Sequence, residues 1–205
     1  MLDFNKIELS ILNKTESEIK NILSKYDIKN IHIDIMDWYF VKNLSNISPF
    51  FLKNLNLWKY KLHLHFMVEN AEIFFNYYKN FNNIESVSFH IESKFYKKWE
   101  TNNFIEKLKK RNIKVWLAIN PITWIDIFSK NWFNDNLDEF DFIQIMTVEP
   151  WKGWQKFIPH MEEKIKYIRW FYKKEIIIDW WVNDIIYKIL EKIVDKFVIW
   201  NYLYK

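Results

Sequence analysis

Short runs rich in β-forming residues alternate along the chain with stretches in which apolar residues recur every three or four positions. The first pattern is typical of β-strands and the second of amphipathic helices. We predict eight strands, at residues 7–12, 31–36, 61–67, 86–91, 114–119, 141–146, 175–179 and 197–200.

Helical patterns fill the intervals between these strands. Thr15 and Glu18 have the spacing of a capping box ahead of Ile19, Ile22 and Leu23. Two further apolar stripes are predicted, one of Met161, Ile165, Ile168 and Tyr172, the other of Ile185, Ile186, Ile189, Leu190 and Ile193. Strands that alternate with helices predict a parallel sheet with right-handed crossovers.

Eight strand–helix units in 205 residues favour an α/β protein with a closed (β/α)8 barrel, at the short end of the size range of that fold. A doubly wound open sheet is the alternative. The chain has no linker and no low-complexity tract, so we expect residues 1–205 to form one barrel domain.

Composition excludes several classes of protein. No apolar run is long enough to span a membrane, the N-terminus lacks the layout of a signal peptide, and there is no cysteine, so we expect a cytoplasmic protein without a membrane partner. The net charge of +4 comes from solvated residues such as Lys107, Lys109, Lys110 and Arg111, which argues against a nucleic-acid partner.

Polar and sulfur-containing side chains lie near the ends of four predicted strands. They are His32, Asp34 and Met36 on the second strand, His63, His65 and Met67 on the third, Met146 on the sixth and Asp179 on the seventh. On each strand, alternation places them on one face, and the carboxyl ends of barrel strands are where active sites lie. Imidazoles and carboxylates suit a divalent zinc, iron or manganese ion, although ordinary hydrogen-bonded core residues give the same pattern.

Six ordered segments resemble the motifs of ribulose-phosphate 3-epimerases. HIDIMDWYFVKN is similar to the family's H-x-D-x-M-D-G-x-F-V-x-N, and it is followed by HLHFMVENAE, VSFHIES, VWLAINPIT, IQIMTVEPWKGWQKFIP and IIIDWWVN. SILN near the start and VIWN near the end also resemble family segments. The resemblance covers essentially the whole chain and implies a (β/α)8 TIM barrel of the ribulose-phosphate-binding type.

The resemblance also implies roles for individual residues. A single divalent metal ion, Zn, Fe, Mn or Co, is held by the residues matching His32, Asp34, His65 and Asp179. The two aspartates act as acid and base at carbon 3 of D-ribulose 5-phosphate, which passes through an enediolate to D-xylulose 5-phosphate. We therefore expect a metal-dependent isomerase of carbohydrate metabolism that acts in the pentose phosphate pathway on a small phosphorylated sugar, and we expect a homo-oligomer.

Further substrate contacts are implied at matching positions. Ser10 matches a residue near the substrate, and Met36, Met67 and Met146 match sulfur side chains over the enediolate. The phosphate site is matched by Trp151, Gly153, Trp154, Trp180, Trp181, Trp200 and Asn201.

Tryptophan replaces glycine where this family has glycine. The chain has 12 tryptophans and 1 glycine. Seven of the tryptophans match family glycines, at positions 38, 116, 151, 154, 180, 181 and 200. We hypothesise that the gene reads UGA as glycine and was translated with UGA as tryptophan, and that positions 58, 99, 124, 132 and 170 are glycines as well.

Two alternatives stay open at this point. If the tryptophans are genuine, the chain is a decayed or repurposed barrel, such as a non-catalytic sugar-phosphate-binding protein. A related 3-epimerase of a hexulose phosphate such as allulose 6-phosphate would share the same motifs. The sequence also departs from the family at His63, where aspartate is usual, and at Asn201, where serine is usual.

Overall fold

Eight parallel strands close into a barrel in chain order in the computed structural model, which describes residues 2–93, 98–123, 126, 137–148, 157–158, 160–179 and 182–204, without the side chains of 98–100. The strands are β1 Ile7–Ser10, β2 Asn30–Met36, β3 Lys61–Met67, β4 Ile84–His90, β5 Lys114–Ile119, β6 Phe142–Met146, β7 Glu175–Asp179 and β8 Lys196–Ile199. Because β1 pairs with β8, the sheet has no free edge, and the open-sheet alternative is wrong.

Helices follow most of the strands. The α-helices are α1 Glu16–Lys25, α2 Pro49–Leu55, α3 Ala71–Tyr78, α4 Lys98–Lys109, α5 Met161–Phe171 and α6 Asp184–Leu190. Short 3-10 helices occur at Phe4–Lys6, Leu137–Glu139 and Tyr202–Tyr204. None of the described helices combines the length and apolar character that a membrane-spanning segment needs.

The main hydrophobic core lies between the outer faces of the strands and the helices. Alternate strand residues such as Leu9, Ile31 and Leu64 point outward into it and are fully buried. The predicted stripe of α5 packs here, since Met161, Ile165, Ile168 and Tyr172 are all buried. This burial fixes which strand residues face outward, so the intervening residues must face the barrel interior.

A smaller apolar layer fills the inside of the barrel. It consists of Trp116, Phe142, Ile177 and Val198, which form a separate buried cluster. Phe142 and Ile177 precede Gln144 and Asp179 by two positions on the same strands. The layer therefore lies below the polar residues at the strand ends and closes the barrel beneath them.

The predicted elements are largely confirmed. All eight strands form, with ends within two residues of the predicted ones, and the capping box of Thr15 and Glu18 is present at α1. The last helix also forms, but its predicted single stripe is wrong, because Ile185 and Ile189 are exposed while Tyr187 and Leu190 are buried. Asn183 caps this helix by accepting hydrogen bonds from the backbone of Ile185 and Ile186, and the resulting start turns the first isoleucine outward.

Candidate active site and metal centre

Four of the residues singled out in the sequence meet at the carboxyl end of the barrel. His32 and Asp34 come from β2, His65 from β3 and Asp179 from β7. Each offers a ligand atom, and these atoms all lie within 4.8 Å of one another. All four side chains are buried, so the cluster is enclosed within the barrel mouth.

Asp34 contacts both imidazoles through one oxygen. Its Oδ1 is 3.2 Å from His32 Nε2 and 3.1 Å from His65 Nδ1. The hydroxyl of Ser10 donates to the other oxygen, Oδ2, at 2.7 Å. Ser10, predicted as a residue near the substrate, is thus placed where it fixes the orientation of the Asp34 carboxylate.

Asp179, on β7, contacts the same two imidazoles as Asp34 does. Its Oδ2 lies 3.3 Å from both His32 Nε2 and His65 Nδ1, and it accepts a 2.6 Å hydrogen bond from Gln144 Nε2. Among the described residues, Asp179 Oδ1 has no hydrogen-bond partner. A buried carboxylate oxygen without a partner is costly in an apolar interior, and it is available to an ion or a substrate.

Asp34 and Asp179 are both buried and ionised, so positive charge between them is favourable. Burial opposes charge on His32, but the carboxylates of Asp34 and Asp179 outweigh it and raise the pKa of this imidazole well above its ordinary value. Burial would likewise raise the pKa of each aspartate, yet the charged His32 holds both pKa values below the ordinary range. The centre therefore stabilises a cation between two ionised carboxylates.

These residues fit a divalent metal ion. Two imidazoles and two carboxylates are donors that zinc, iron and manganese accept. Asp179 Oδ1, which has no partner in the described part of the chain, and the cation-stabilising field are independent features that a bound metal would satisfy. The chain thus has a buried His/Asp cluster that could hold a metal ion.

Behind His65 a chain of hydrogen bonds leads to a carboxylate. His65 Nε2 is 2.9 Å from His90 Nε2, and His90 Nδ1 is 3.2 Å from Glu92 Oε2. The other oxygen of Glu92 accepts from the backbone N–H of Asn120 at 2.8 Å and from the hydroxyl of Thr123. Burial would raise the pKa of Glu92, but its hydrogen bond to His90 lowers it.

Glu8 and His63 form a second buried group, next to Nδ1 of His32. Glu8 Oε2 is 2.9 Å from His63 Nδ1 and 3.5 Å from His32 Nδ1, and Lys196 approaches Glu8 Oε1 at 3.5 Å. Burial would raise the pKa of Glu8, but His63 keeps it well below the ordinary value. Burial lowers the pKa of His63 to about 3, so this imidazole is neutral at physiological pH. His63, predicted to lie on the metal-facing side, is thus placed one layer below the four-residue cluster.

The three methionines lie around the cluster. Met36 and Met67 are register partners and belong to a small buried group with Leu12, Val41 and Val148. The sulfur of Met146 lies 3.9 Å from Gln144 Nε2, and Met146 is the register partner of Asp179. Thioether groups from β2, β3 and β6 therefore border the space above the carboxylates.

The predicted phosphate residues are described only in part. Trp200 follows β8, and its indole N–H donates to Leu12 O at 2.7 Å. Asn201 Oδ1 accepts from Lys14 Nζ at 3.0 Å. Trp151, Gly153, Trp154, Trp180 and Trp181 lie outside the described residues.

Gln144, His90, Glu92 and Glu8 were missed as site residues in the sequence. Each carried a usable signal, because a polar residue at a position that alternation turns into the barrel must find a partner there. Gln144 precedes Met146 by two positions on β6, and Glu8 precedes Ser10 by two on β1. His90 ends β4, next to the β3 strand that carries His65.

The fold and the cluster together define an enzyme of the (β/α)8 barrel class, with paired carboxylates and imidazoles at the carboxyl ends of the strands. A model of the ribulose-phosphate 3 epimerase family matches residues 6–204. The chain belongs to the ribulose-phosphate 3-epimerase family, which makes it an isomerase.

Individual proteins agree with this assignment. The chain is 29% identical over 187 residues to a ribulose-phosphate 3-epimerase of Methanocaldococcus jannaschii, covering 87% of this chain and 74% of that protein. It is 26% identical over 193 residues to the enzyme of the same name from Helicobacter pylori, covering 91% and 84%. The fold resembles that of 3-hexulose-6-phosphate synthase from Salmonella typhimurium, with a TM-score of 0.64 at 11% identity, covering 96% of this chain and 89% of that structure.

Proposed function

We propose that the chain interconverts D-ribulose 5-phosphate and D-xylulose 5-phosphate by proton transfer at carbon 3, with Asp34 and Asp179 as the acid–base pair. The observation that carries this proposal is the pair of buried carboxylates, held by β2 and β7 against the same two imidazoles. Inversion at one carbon needs a proton removed on one face and returned on the other, which two carboxylates can do.

The metal-binding role is part of this proposal. His32, Asp34, His65 and Asp179 would hold one divalent ion, which as a Lewis acid would lower the cost of charge developing on the ketone oxygen. The lowered pKa of Asp179 supplies an ionised carboxylate at neutral pH, and its unpartnered Oδ1 is free to accept a proton. Ser10 and Gln144 hold the two carboxylates in place. The buried methionines exclude water, which protects a carbanionic species from stray protonation.

Proton exchange at carbon 3 tests this function directly. We expect the native protein to exchange the carbon 3 hydrogen of D-ribulose 5-phosphate for deuterium in heavy water, with D-xylulose 5-phosphate appearing in parallel. Asp179→Asn should lower the exchange rate by about 10²–10⁴-fold because the acid–base group is lost. Glu175→Gln, at the exposed start of the same strand, is the matched control and should leave the rate unchanged.

Two results would overturn the assignment. Equal exchange rates for Asp179→Asn and Glu175→Gln would remove Asp179 from the acid–base role. A higher kcat/KM for D-allulose 6-phosphate than for D-ribulose 5-phosphate would make the chain a hexulose-phosphate epimerase. The cytoplasmic location, the homo-oligomer and the single domain over residues 1–205 stay predictions.

We also propose that the tryptophans at family glycine positions are glycines in the native protein, encoded by UGA. Support comes from the surroundings of the indoles. Trp38, Trp58 and Trp170 are 54%, 74% and 73% exposed, although tryptophan is ordinarily well buried. Trp116 is buried inside the barrel with its ring centroid 3.6 Å from that of His63, and its Nε1 has no partner among the described residues.

The backbone gives no separate support at the described positions. Among them, the non-glycine residues with positive φ are Asn13, Asn56 and Asn112, and no tryptophan is included. Space for the side chain supports the proposal instead, since an indole beside the phosphate site or within a filled barrel overpacks its surroundings.

Codons and native peptides decide the tryptophan proposal. We expect UGA at positions 38, 116, 151, 154, 180, 181 and 200, and glycine at these positions in peptides from the native organism. UGG codons there, or tryptophan in the native peptides, would refute the proposal. In the exchange assay, a chain with glycine at these seven positions should be far more active than the tryptophan chain, and equal activity would contradict the blocked phosphate site.

A further inference from the structure

We infer that Glu92 and His90 are positioning residues that fix which ring nitrogen of His65 carries its proton, so that Nδ1 presents its lone pair to the metal centre. This inference rests on the proposed metal site, but it concerns residues outside the four ligands. It follows from the direction of the hydrogen bonds in a chain of buried side chains that runs from β4 to β3.

The series of hydrogen bonds begins at the carboxylate of Glu92, which can only accept hydrogen bonds. Glu92 is ionised, so the 3.2 Å contact between its Oε2 and His90 Nδ1 requires the proton to be on Nδ1 of His90. With that proton on Nδ1, the imidazole presents the lone pair of Nε2 to His65. His90 Nε2 is consequently an acceptor.

The next hydrogen bond determines which nitrogen of His65 carries the proton. His65 Nε2 lies 2.9 Å from the acceptor Nε2 of His90, so a hydrogen bond forms only if His65 carries a proton on Nε2. With its proton on Nε2, the His65 ring has a free lone pair on Nδ1. That atom is the one that faces Asp34 and Asp179, at 3.1 Å and 3.3 Å.

A contact on the other side of His65 agrees with this tautomer. The Gln144 amide nitrogen, which can only donate, lies 3.2 Å from His65 Nδ1. This donor favours a lone pair on His65 Nδ1. The carboxylates of Asp34 and Asp179 face the same atom, so a cation held between them would take that lone pair.

Glu92 is itself held in a fixed orientation. Its Oε1 accepts from Asn120 N and from the Thr123 hydroxyl, so only Oε2 is left for His90. Because of this arrangement, Glu92→Gln should replace an acceptor with a donor at His90 Nδ1. The two donors will retain the amide oxygen, and the amide NH₂ group will then face His90 Nδ1.

The substitution should reverse the direction of the hydrogen bonds from residue 92 through His90 to His65. An amide donor at His90 Nδ1 favours the proton on His90 Nε2, which then requires an acceptor at His65 Nε2 and moves the His65 proton to Nδ1. A protonated Nδ1 cannot bind a metal. We expect Glu92→Gln to weaken Co²⁺ binding by about 10–100-fold, as is typical when the partner of a metal-binding histidine is removed.

The experiment titrates metal-free protein with Co²⁺ and follows visible absorption, without any substrate. Ser93→Ala is the matched control, because Ser93 is the next residue, is buried, and has no hydrogen-bond partner for its hydroxyl among the described residues. It should bind Co²⁺ with the affinity of the unaltered chain. Equal affinities for the unaltered chain and Glu92→Gln would overturn the inference, as would an equal loss in Ser93→Ala.

Nitrogen NMR of the zinc-loaded, unaltered chain gives a second readout that needs no variant. We expect protons on Nε2 of His65 and on Nδ1 of His90. The opposite tautomers would overturn the inference even if Glu92→Gln failed to fold. Neither readout requires turnover, so a native protein without epimerase activity would refute the proposed function and leave these hydrogen bonds standing.

Discussion

Glu8 is a charged residue in the interior of the barrel, with only 2% of its surface exposed. Its carboxylate is stabilised by His63 and by Lys196, which approaches from β8. A buried charge is tolerated only when its partners replace the water it has lost. Replacing Glu8 therefore leaves these partners without their acceptor.

We expect Glu8→Gln to lower the free energy of unfolding by about 1–3 kcal/mol, because the amide group places a donor against either His63 Nδ1 or the Lys196 ammonium and leaves a buried polar group unsatisfied. Urea denaturation in the presence of a chelator measures this loss. The control is Glu106→Gln, whose carboxylate is exposed and 3.7 Å from Lys110. Exposed pairs contribute about 0–1 kcal/mol, and a similar loss in both variants would contradict the role of burial.

At the scale of elements, Lys164 joins α5 to the loop after β5. Its ammonium group donates to the carbonyl oxygens of Asn120, Pro121 and Thr123, at 2.8, 3.2 and 2.7 Å. The same loop supplies the two donors that hold Glu92. One buried lysine therefore ties a helix to the loop that orients the hydrogen-bond chain of the site.

Lys164→Met should lower the free energy of unfolding at pH 7 by about 1–3 kcal/mol, since three carbonyl groups lose a donor. Lys166→Met is the matched control on the same helix, because Lys166 is exposed and pairs with Glu162 one turn away. Chemical denaturation of both variants measures the difference. Equal stability of the two would contradict the structural role of Lys164.

The same comparison has a defined pH dependence. Burial lowers the pKa of Lys164 from 10.5 to about 8, so between these values the folded chain has released a proton that the unfolded chain still holds. Raising the pH through this window favours the folded state. The stability advantage of the unaltered chain over Lys164→Met should grow from pH 8 to 10, whereas the advantage over Lys166→Met should not.

Helix faces were less predictable than helix positions. Met161, Ile165, Ile168 and Tyr172 were correctly placed on one buried face because their spacing admits only one. The run from Ile185 to Ile193 contains two overlapping apolar faces, and periodicity alone cannot choose between them. The cap at Asn183 and the packing of Tyr187 and Leu190 determine which of the two faces is buried.

At the scale of the whole molecule, closure of the barrel creates the site. Asp34 and Asp179 are 145 positions apart, and no local pattern relates them. Pairing of β1 with β8 brings β7 and β2 to the same mouth, where both carboxylates meet His32 and His65. The predicted strand ends included all four residues among their candidates and the family resemblance singled them out, but the closed sheet was needed to bring their ligand atoms together.

The sequence by itself determined the eight strands, the barrel, the family and the four residues of the cluster, because period-two alternation and motif order are local properties of the chain. Only the tertiary structure revealed that Ser10 and Gln144 hold the carboxylates, that hydrogen bonds connect Glu92 to His65 through His90, and that Glu8 and His63 form a separate pair. Hydrogen bonds between distant strands depend on distances and directions that arise only when the barrel closes, and these contacts decide which nitrogen and oxygen atoms are free for chemistry.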